Sequence, residues 1–438
     1  ETTAKKLFAM DAGAIYDVTS PADPLVAVTA SVGGLTSGDW ASGQFATAGG
    51  TFLVMVNGAD AMHQFDGSAL YPMSSDAVYL LTYDAQTADF TVGQTVTGGT
   101  SGATGTIVGI YDGGAFGTLY INALSGTFQD NETITDGAGG SATANIPTGI
   151  GSGRSITGVD TSKLSHVWPF KSRLFFIEDG TMSAWYLPVE SIGGAASELP
   201  LKSIITKGGS LMFGATYSQD SGNGPDDYCL FVTDKGEVAM YQGTDPSDAT
   251  AWALVGVYHL GQPLHKNAHF KAGGDLAVIT DLGIVPFSAA IQKDVAALSL
   301  AAITRPIENA WRTFMQTRKG LLTNFSCTLW QSAAMLLVGL PGASGLTTKA
   351  IAANAVTGAW SSGFIGWDVR TCCVFDDKLY FGTGDGAIKE GDTGGSDDGT
   401  AYQAICIPSF DMMKVPVEKI ALHARATIKT NYPFTFQL

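Results

Sequence analysis

His265 and His269 stand four residues apart, the spacing that on a helix puts two imidazoles on one face as zinc ligands. Their context, Gly261 through Phe270, reads as a loop entering a strand, and no Glu follows the first histidine, so no metal site is assigned. The adjacent carboxylates Asp226–Asp227, Asp376–Asp377 and Asp397–Asp398 raise the paired-acid chemistry of glycosidases. Neighbours on a strand or turn point to opposite sides, which is poor geometry for an acid and a base acting on one bond. The pair Cys372–Cys373 is a redox switch by type, but ahead of Val374 and Phe375 it reads as two small apolar strand residues. Gly384-Asp385-Gly386 and the run Gly394–Gly399 have a calcium-loop composition that Asp/Gly turns share without metal. An Asp box is only faint at Asp234 and Asp281, where Ser and Trp are out of register. Nucleophile elbow, phosphate-binding loop and HExxH motifs are absent. The chain is therefore expected to be no enzyme, with no catalytic, cofactor-binding or metal residue. Trp168, Trp185, Trp252, Trp311, Trp330, Trp360 and Trp367 are spread along it as core filling, with a carbohydrate platform as the alternative.

What would position such residues is a recurring phrase: an alternating apolar strand, a tight Asp/Gly turn and a second alternating strand. It occurs at Leu7–Val18, Leu174–Leu187, Leu230–Gln242, Leu276–Phe287 and Leu379–Glu390, with a looser copy at Phe52–Phe65. Each predicts a β-hairpin whose turn glycine supplies the positive φ. Hairpins about 45–60 residues apart where best spaced fit small sheets arranged radially better than a sandwich, whose strands would come every 8–12 residues. The expected fold is all-β: a β-propeller of about 5–7 blades. The intervening residues, such as Leu254–His259 and Met335–Leu340, would complete the blades.

Residues 85–147 carry a different repeat. The stretch from Phe90 to Ala103 is echoed from Phe128 to Ser141, 38 residues later, with strand patterns at Ile107–Tyr111 and Thr118–Asn122 between. This predicts a small inserted β module, self-contained and dispensable, dividing the propeller into 1–84 and 148–416, with 417–438 a C-terminal strand segment. One stretch, residues 289–314, has helical spacing at Ile291, Val295, Leu298 and Ala302, and Pro306 is expected to break it into two. Such an excursion serves either as a packing strut or as a docking element for another subunit.

Composition agrees with a turn-rich β protein: 55 of 438 residues are Gly and 15% are charged. The longest apolar run, Ala333–Leu340, contains Gly339, so a soluble chain without membrane insertion is expected. Net charge is −16 and uneven, with no Lys or Arg between Lys6 and Arg154 and 13 acidic residues from Asp11 to Asp136. Such a surface repels phosphate rather than binding it. Five irregularly spaced cysteines, Cys229, Cys327, Cys372, Cys373 and Cys406, make no disulfide framework and point to a reducing compartment. The first residues lack Met and a signal-peptide core, as expected of a chain trimmed or processed upstream.

The doubled phrase within Phe90–Ile146, with its strand from Thr118 to Asp130, resembles decoration modules of tailed-bacteriophage structural proteins. The opening from Lys6 to Thr19 and the stretch from Trp168 to Gly180 resemble the tail nozzle proteins of short-tailed phages, also called packaged-DNA stabilisation or tail hub proteins. The likeness covers most of the chain in order and style, through hairpin phrases of moderate specificity, and carries over no catalytic residue. It implies a virion tail subunit, assembled in the bacterial host cytoplasm. Its expected form is a homo-oligomer, a hexameric ring below the portal and adaptor that extends the DNA channel, retains packaged DNA and conducts it during ejection. The implied partners are the adaptor or portal-side protein, tail fibres or tailspikes, and duplex DNA passing without specific binding. The competing expectation is a carbohydrate-binding or carbohydrate-degrading propeller, a depolymerase or lectin-like protein.

Overall fold

A computed structural model describes residues 5–20, 31–67, 69–74, 76–146, 154–220, 225–318, 326–340, 342, 349–361, 364–365 and 367–393. Two compact units divide the chain, residues 1–389 and 390–438. The expected boundary at 416/417 and Cys406 lie outside the described residues. The described residues are overwhelmingly β, and no helix among them is long and apolar enough to cross a membrane.

Seven small antiparallel sheets follow one another among the described residues. The first holds Phe8–Met10, Ala14–Asp17 and Val32–Gly33; the second holds Ala41–Thr47, Gly50–Val56, Met62–Phe65 and Leu70–Met73. The third is Leu164–Phe170, Arg173–Glu178, Ser183–Tyr186 and Ser197–Pro200, and the fourth Leu211–Asp220, Pro225–Thr233, Glu237–Gly243 and Trp252–His259. His269–Ala272, Asp275–Thr280 and Gly283–Pro286 form the fifth. The sixth is Ser326–Trp330, Met335–Leu340, Lys349–Asn354 and Phe364–Ile365, and the seventh Thr371–Phe375, Lys378–Gly382 and Ile388–Gly391. Each recurring phrase supplies two consecutive strands of one sheet. In the four-stranded sheets these are the central two, which explains their continuous apolar runs: Leu174 through Ile177 and Leu230 through Val232 are all buried. Met335–Leu340 is itself a hairpin strand, paired with Lys349–Asn354.

Turn chemistry also ties three of the hairpins to the chain leading into their sheets. Asp60 accepts from the Thr36 and Ser37 amides, Asp234 from the Ser210 amide at 2.9 Å, and Asp281 from the Gln262 amide at 2.9 Å. Gly236, at φ +78, completes the fourth-sheet turn, where a Cβ would meet the Leu260 and Gly261 carbonyls at 2.6 Å. Sheets pack face to face through apolar layers. Phe175 lies between Trp168 at 5.5 Å and Trp252 at 6.0 Å, both near-parallel, filling the space between the third and fourth sheets. First strands of successive sheets touch: Leu164–Phe170 packs on Ala41–Thr47 and Leu211–Asp220, and Ser326–Trp330 packs on His269–Ala272 and Thr371–Phe375.

The inserted module is a closed six-stranded barrel of Tyr79–Ala88, Thr95–Gly98, Thr104–Asp112, Gly117–Ser125, Thr133–Thr135 and Ser141–Ala144. Its first strand starts at Tyr79, six residues ahead of the expected boundary, because Leu81 and Tyr83 point into the barrel core with Val96, Leu119 and Ile134. The repeat is visible in the pairing: Thr97 and Gly98 of the first copy lie opposite Thr135 and Ile134 of the second. Buried Glu132 crosses between copies, accepting from the Thr100 and Ser101 amides at 3.0 and 2.8 Å and the Gln129 amide at 2.6 Å. The module does borrow from its surroundings, contrary to expectation. Tyr120, Leu80 and Val108 face outward from the barrel wall into the core of the second and third sheets, where Tyr120 meets Tyr71 edge-on at 5.7 Å.

The helical excursion contains three short α-helices, α1 (Phe287–Gln292), α2 (Val295–Ala301) and α3 (Glu308–Arg318). The first break falls at Lys293–Asp294, where Asp294 caps α2 by accepting from the Ala296 amide. Pro306 sits in the short 3-10 turn Arg305–Ile307 and opens α3. Proline fits the first turn of a helix because the missing N–H has no partner there.

Candidate functional site

The sequence candidates are dispersed rather than assembled. His265 and His269 diverge: His265 donates its Nε2 to Asp39 at 3.1 Å, while His269, on the first strand of the fifth sheet, stacks on Phe213 at 4.4 Å. Asp227 bonds Ser218 and faces Lys171 at 3.6 Å. Asp376 and Asp377 occupy left-handed turn positions at φ +49 and +61; Asp376 pairs with Lys5, and Asp377 accepts from Trp330 Nε1 and Ser332. The side chain of Asp226, both Asp397 and Asp398, and the run Gly394–Gly399 lie outside the described residues. Asp385 bonds Thr383 and the Ala387 amide within its own turn. Cys372 contacts Ser326 at 3.2 Å, and Cys373 is exposed on the neighbouring position. Burial pushes the Cys372 thiol up to about 12, which leaves little thiolate at that position. Trp168, Trp252 and Trp311 are buried, and Trp367 is stacked between Phe364 and Phe381 at 4.6 and 4.9 Å. Among the described residues no group of three His, Cys, Asp or Glu side chains could hold a metal ion.

The structure instead gathers a polar cluster that the sequence does not announce. The segment Asp39–Trp40, leading into the second sheet, meets Lys266–Asn267, leading into the fifth, 227 residues away in the chain. Lys266 Nζ donates to the Asp39 carbonyl at 2.7 Å and faces its carboxylate at 3.2 Å, and Asn267 Nδ2 donates to the Trp40 carbonyl at 2.8 Å. Lys266 is only 7% exposed. Burial lowers its pKa, partly offset by the Asp39 charge. Burial acts to raise Asp39, but hydrogen bonding from His265 and the charge of Lys266 hold it below the usual carboxylate range.

Three further imidazoles lie near this contact, His63 and His166 buried and His269 part-buried. His63 lies 6.0 Å from the Trp40 ring, and His166 lies 5.6 Å from His269 and 6.0 Å from Phe213. Gly214 lets the fourth sheet's first strand pass over Trp168 without a side chain in the way, and its amide donates to His166 Nδ1 at 3.3 Å. Burial pushes His63 and His269 down to about 4 and His166 well below its ordinary value. All three are neutral near pH 7. The set joins segments far apart in the chain.

No family model matches the chain, and no curated protein matches it. Among solved structures, apo AztD from Citrobacter koseri is similar at 10% identity with a TM-score of 0.24, over 66% of this chain and 95% of that one, a likeness too distant to carry an argument.

Proposed function

We propose that the chain is a structural tail subunit of a short-tailed bacteriophage, of the nozzle or hub type, built as a β-propeller and working as a ring around the DNA path. The observation that carries the propeller reading is the succession of seven antiparallel meanders in which the first strands of the second, third and fourth lie side by side, as do those of the fifth, sixth and seventh, with Lys5, just ahead of the first, bonded to Asp376 in a turn of the seventh. Successive small sheets with a tie between first and last are what a radial array needs to close. The tail reading rests on the sequence likeness, and is supported by two physical features. Among the described residues the candidate carboxylates Asp227, Asp234 and Asp281 are engaged in local structural bonds, and the anionic stretch from Asp11 to Asp136 suits a wall past which phosphate must slide. In this reading the subunit sits in the virion tail below the adaptor, after assembly in the host cytoplasm. It meets the adaptor at one rim and fibres or tailspikes at the other.

Native mass spectrometry and negative-stain imaging of the full chain test it. A ring with a central hole, six copies by mass, is the expected result. A stable monomer that depletes a glycan substrate would replace this reading with the carbohydrate-active one.

A further inference from the structure

Two of the regions that expose large apolar side chains carry opposite charges. At one end of the barrel, the hairpin joining Thr104–Asp112 to Gly117–Ser125 leaves Phe116 56% and Tyr111 43% exposed, with Asp112 exposed beside Tyr111. Asp89 lies at the same end, since both its charge and that of Asp112 act on the Tyr83 hydroxyl. Residues 79–146 contain six acidic side chains and no Lys, Arg or His. In the helical excursion Leu300 is 61% exposed and Ile303 36%. Arg305 and Arg312 flank them, both paired to the single carboxylate Glu308. Residues 287–318 carry four basic and two acidic side chains, of which Arg318 is buried.

We propose that the Tyr111–Phe116 end of one copy's barrel docks on the Leu300–Arg312 surface of a second copy, head to tail. This rests on the ring reading above and deepens it. A contact of barrel end with barrel end would press Asp112 and Asp89 against their own copies, and a helix-to-helix contact would oppose arginines. Only the mixed contact covers both apolar patches while bringing opposite charges together. A mixed contact that the two copies do not reciprocate is heterologous, the kind that repeats from subunit to subunit and closes into a ring when its rotation allows. The helical excursion is then a docking element as well as a strut.

The test uses the full chain with Phe116 replaced by a benzophenone-bearing phenylalanine, prepared as a mixture of isotopically light and heavy copies and irradiated in solution. The expected product joins position 116 of one copy to residues 293–312 of another. Arg312→Glu should cut its yield about tenfold, the loss of roughly 1.4 kcal/mol at the contact. Adding Asp112→Lys to that variant should restore it, with circular dichroism unchanged throughout. Rings that assemble while the cross-link maps elsewhere, or ignores the charge reversal, overturn this contact and leave the ring reading standing. The expected cross-link in an open chain or a dimer keeps the contact and overturns the closed ring. Monomers without cross-link overturn both.

Discussion

The barrel of residues 79–146 has no unpaired strand edge and no basic or imidazole side chain, whereas the sheets around Asp39 and Lys266 keep free edges and gather three histidines, two buried and one part-buried, beside a lysine. Closure lets the barrel satisfy its backbone internally, so its core is apolar apart from a few groups such as Glu132 and the Tyr83 hydroxyl. The open sheets gain their order from each other, through aromatic layers and through polar contacts between segments hundreds of residues apart. Two consequences separate the regions: their response to acid and the reach of a single substitution.

Acid should divide them most. His63 and His269 stay neutral in the fold down to about pH 4, while in the unfolded chain they take up a proton near 6.5. The unfolded state therefore binds more protons as pH falls from 6.5 to 4, and stability present above 6.5 is lost across that window, on the order of 3 kcal/mol for each histidine. Hydrogen-exchange protection should fall around Met62–Phe65 and His269–Ala272 between pH 6.5 and 4.5 and hold in the barrel. Equal loss in both regions would remove the distinction. Next in size, Phe175→Ala opens the aromatic layer between the third and fourth sheets. It should cost about 3–5 kcal/mol in denaturant unfolding, and protection should drop in both sheets together.

Glu132→Gln is the barrel counterpart, because an amide cannot accept from all the amides the carboxylate serves. A loss of about 1–3 kcal/mol is expected, with faster exchange at Thr100, Ser101 and Gln129 and none at Lys266; spread into the sheets would mean that the barrel unfolds with them. Smallest is Lys5→Ala, which removes an exposed, solvent-screened ion pair with Asp376 and should leave global stability nearly unchanged. Its sharper readout is protease cleavage near residue 376, expected to rise if the tie holds the seventh sheet to the first.

The hairpins were legible because their two signals are local: alternation over a few residues and an Asp/Gly turn at a fixed offset. Where the turn signal is missing, as between Met335–Leu340 and Lys349–Asn354, the same geometry escapes notice. The barrel repeat could be read from the Phe90 and Phe128 phrases, but its start could not, since Tyr79–Ala88 precedes the repeat and differs from it. Tyr120 shows a further limit: a strand pattern gives alternation but not which face meets a neighbour, and here both faces are buried. The Asp39–Lys266 cluster left no trace, because nothing in either segment encodes a partner 227 positions away.

That separation also sets a timetable for the growing chain. A ribosome adding about 5–20 residues per second needs roughly 11–45 s between making Asp39 and making Lys266. Throughout that interval the nascent second sheet has its Asp39 carboxylate and Trp40 carbonyl unanswered, while the barrel, whose last strand follows its first by some sixty residues, can already have closed. The barrel can thus be complete before the fifth sheet is made, and Tyr120 on its wall offers a surface on which the waiting second sheet can rest until then.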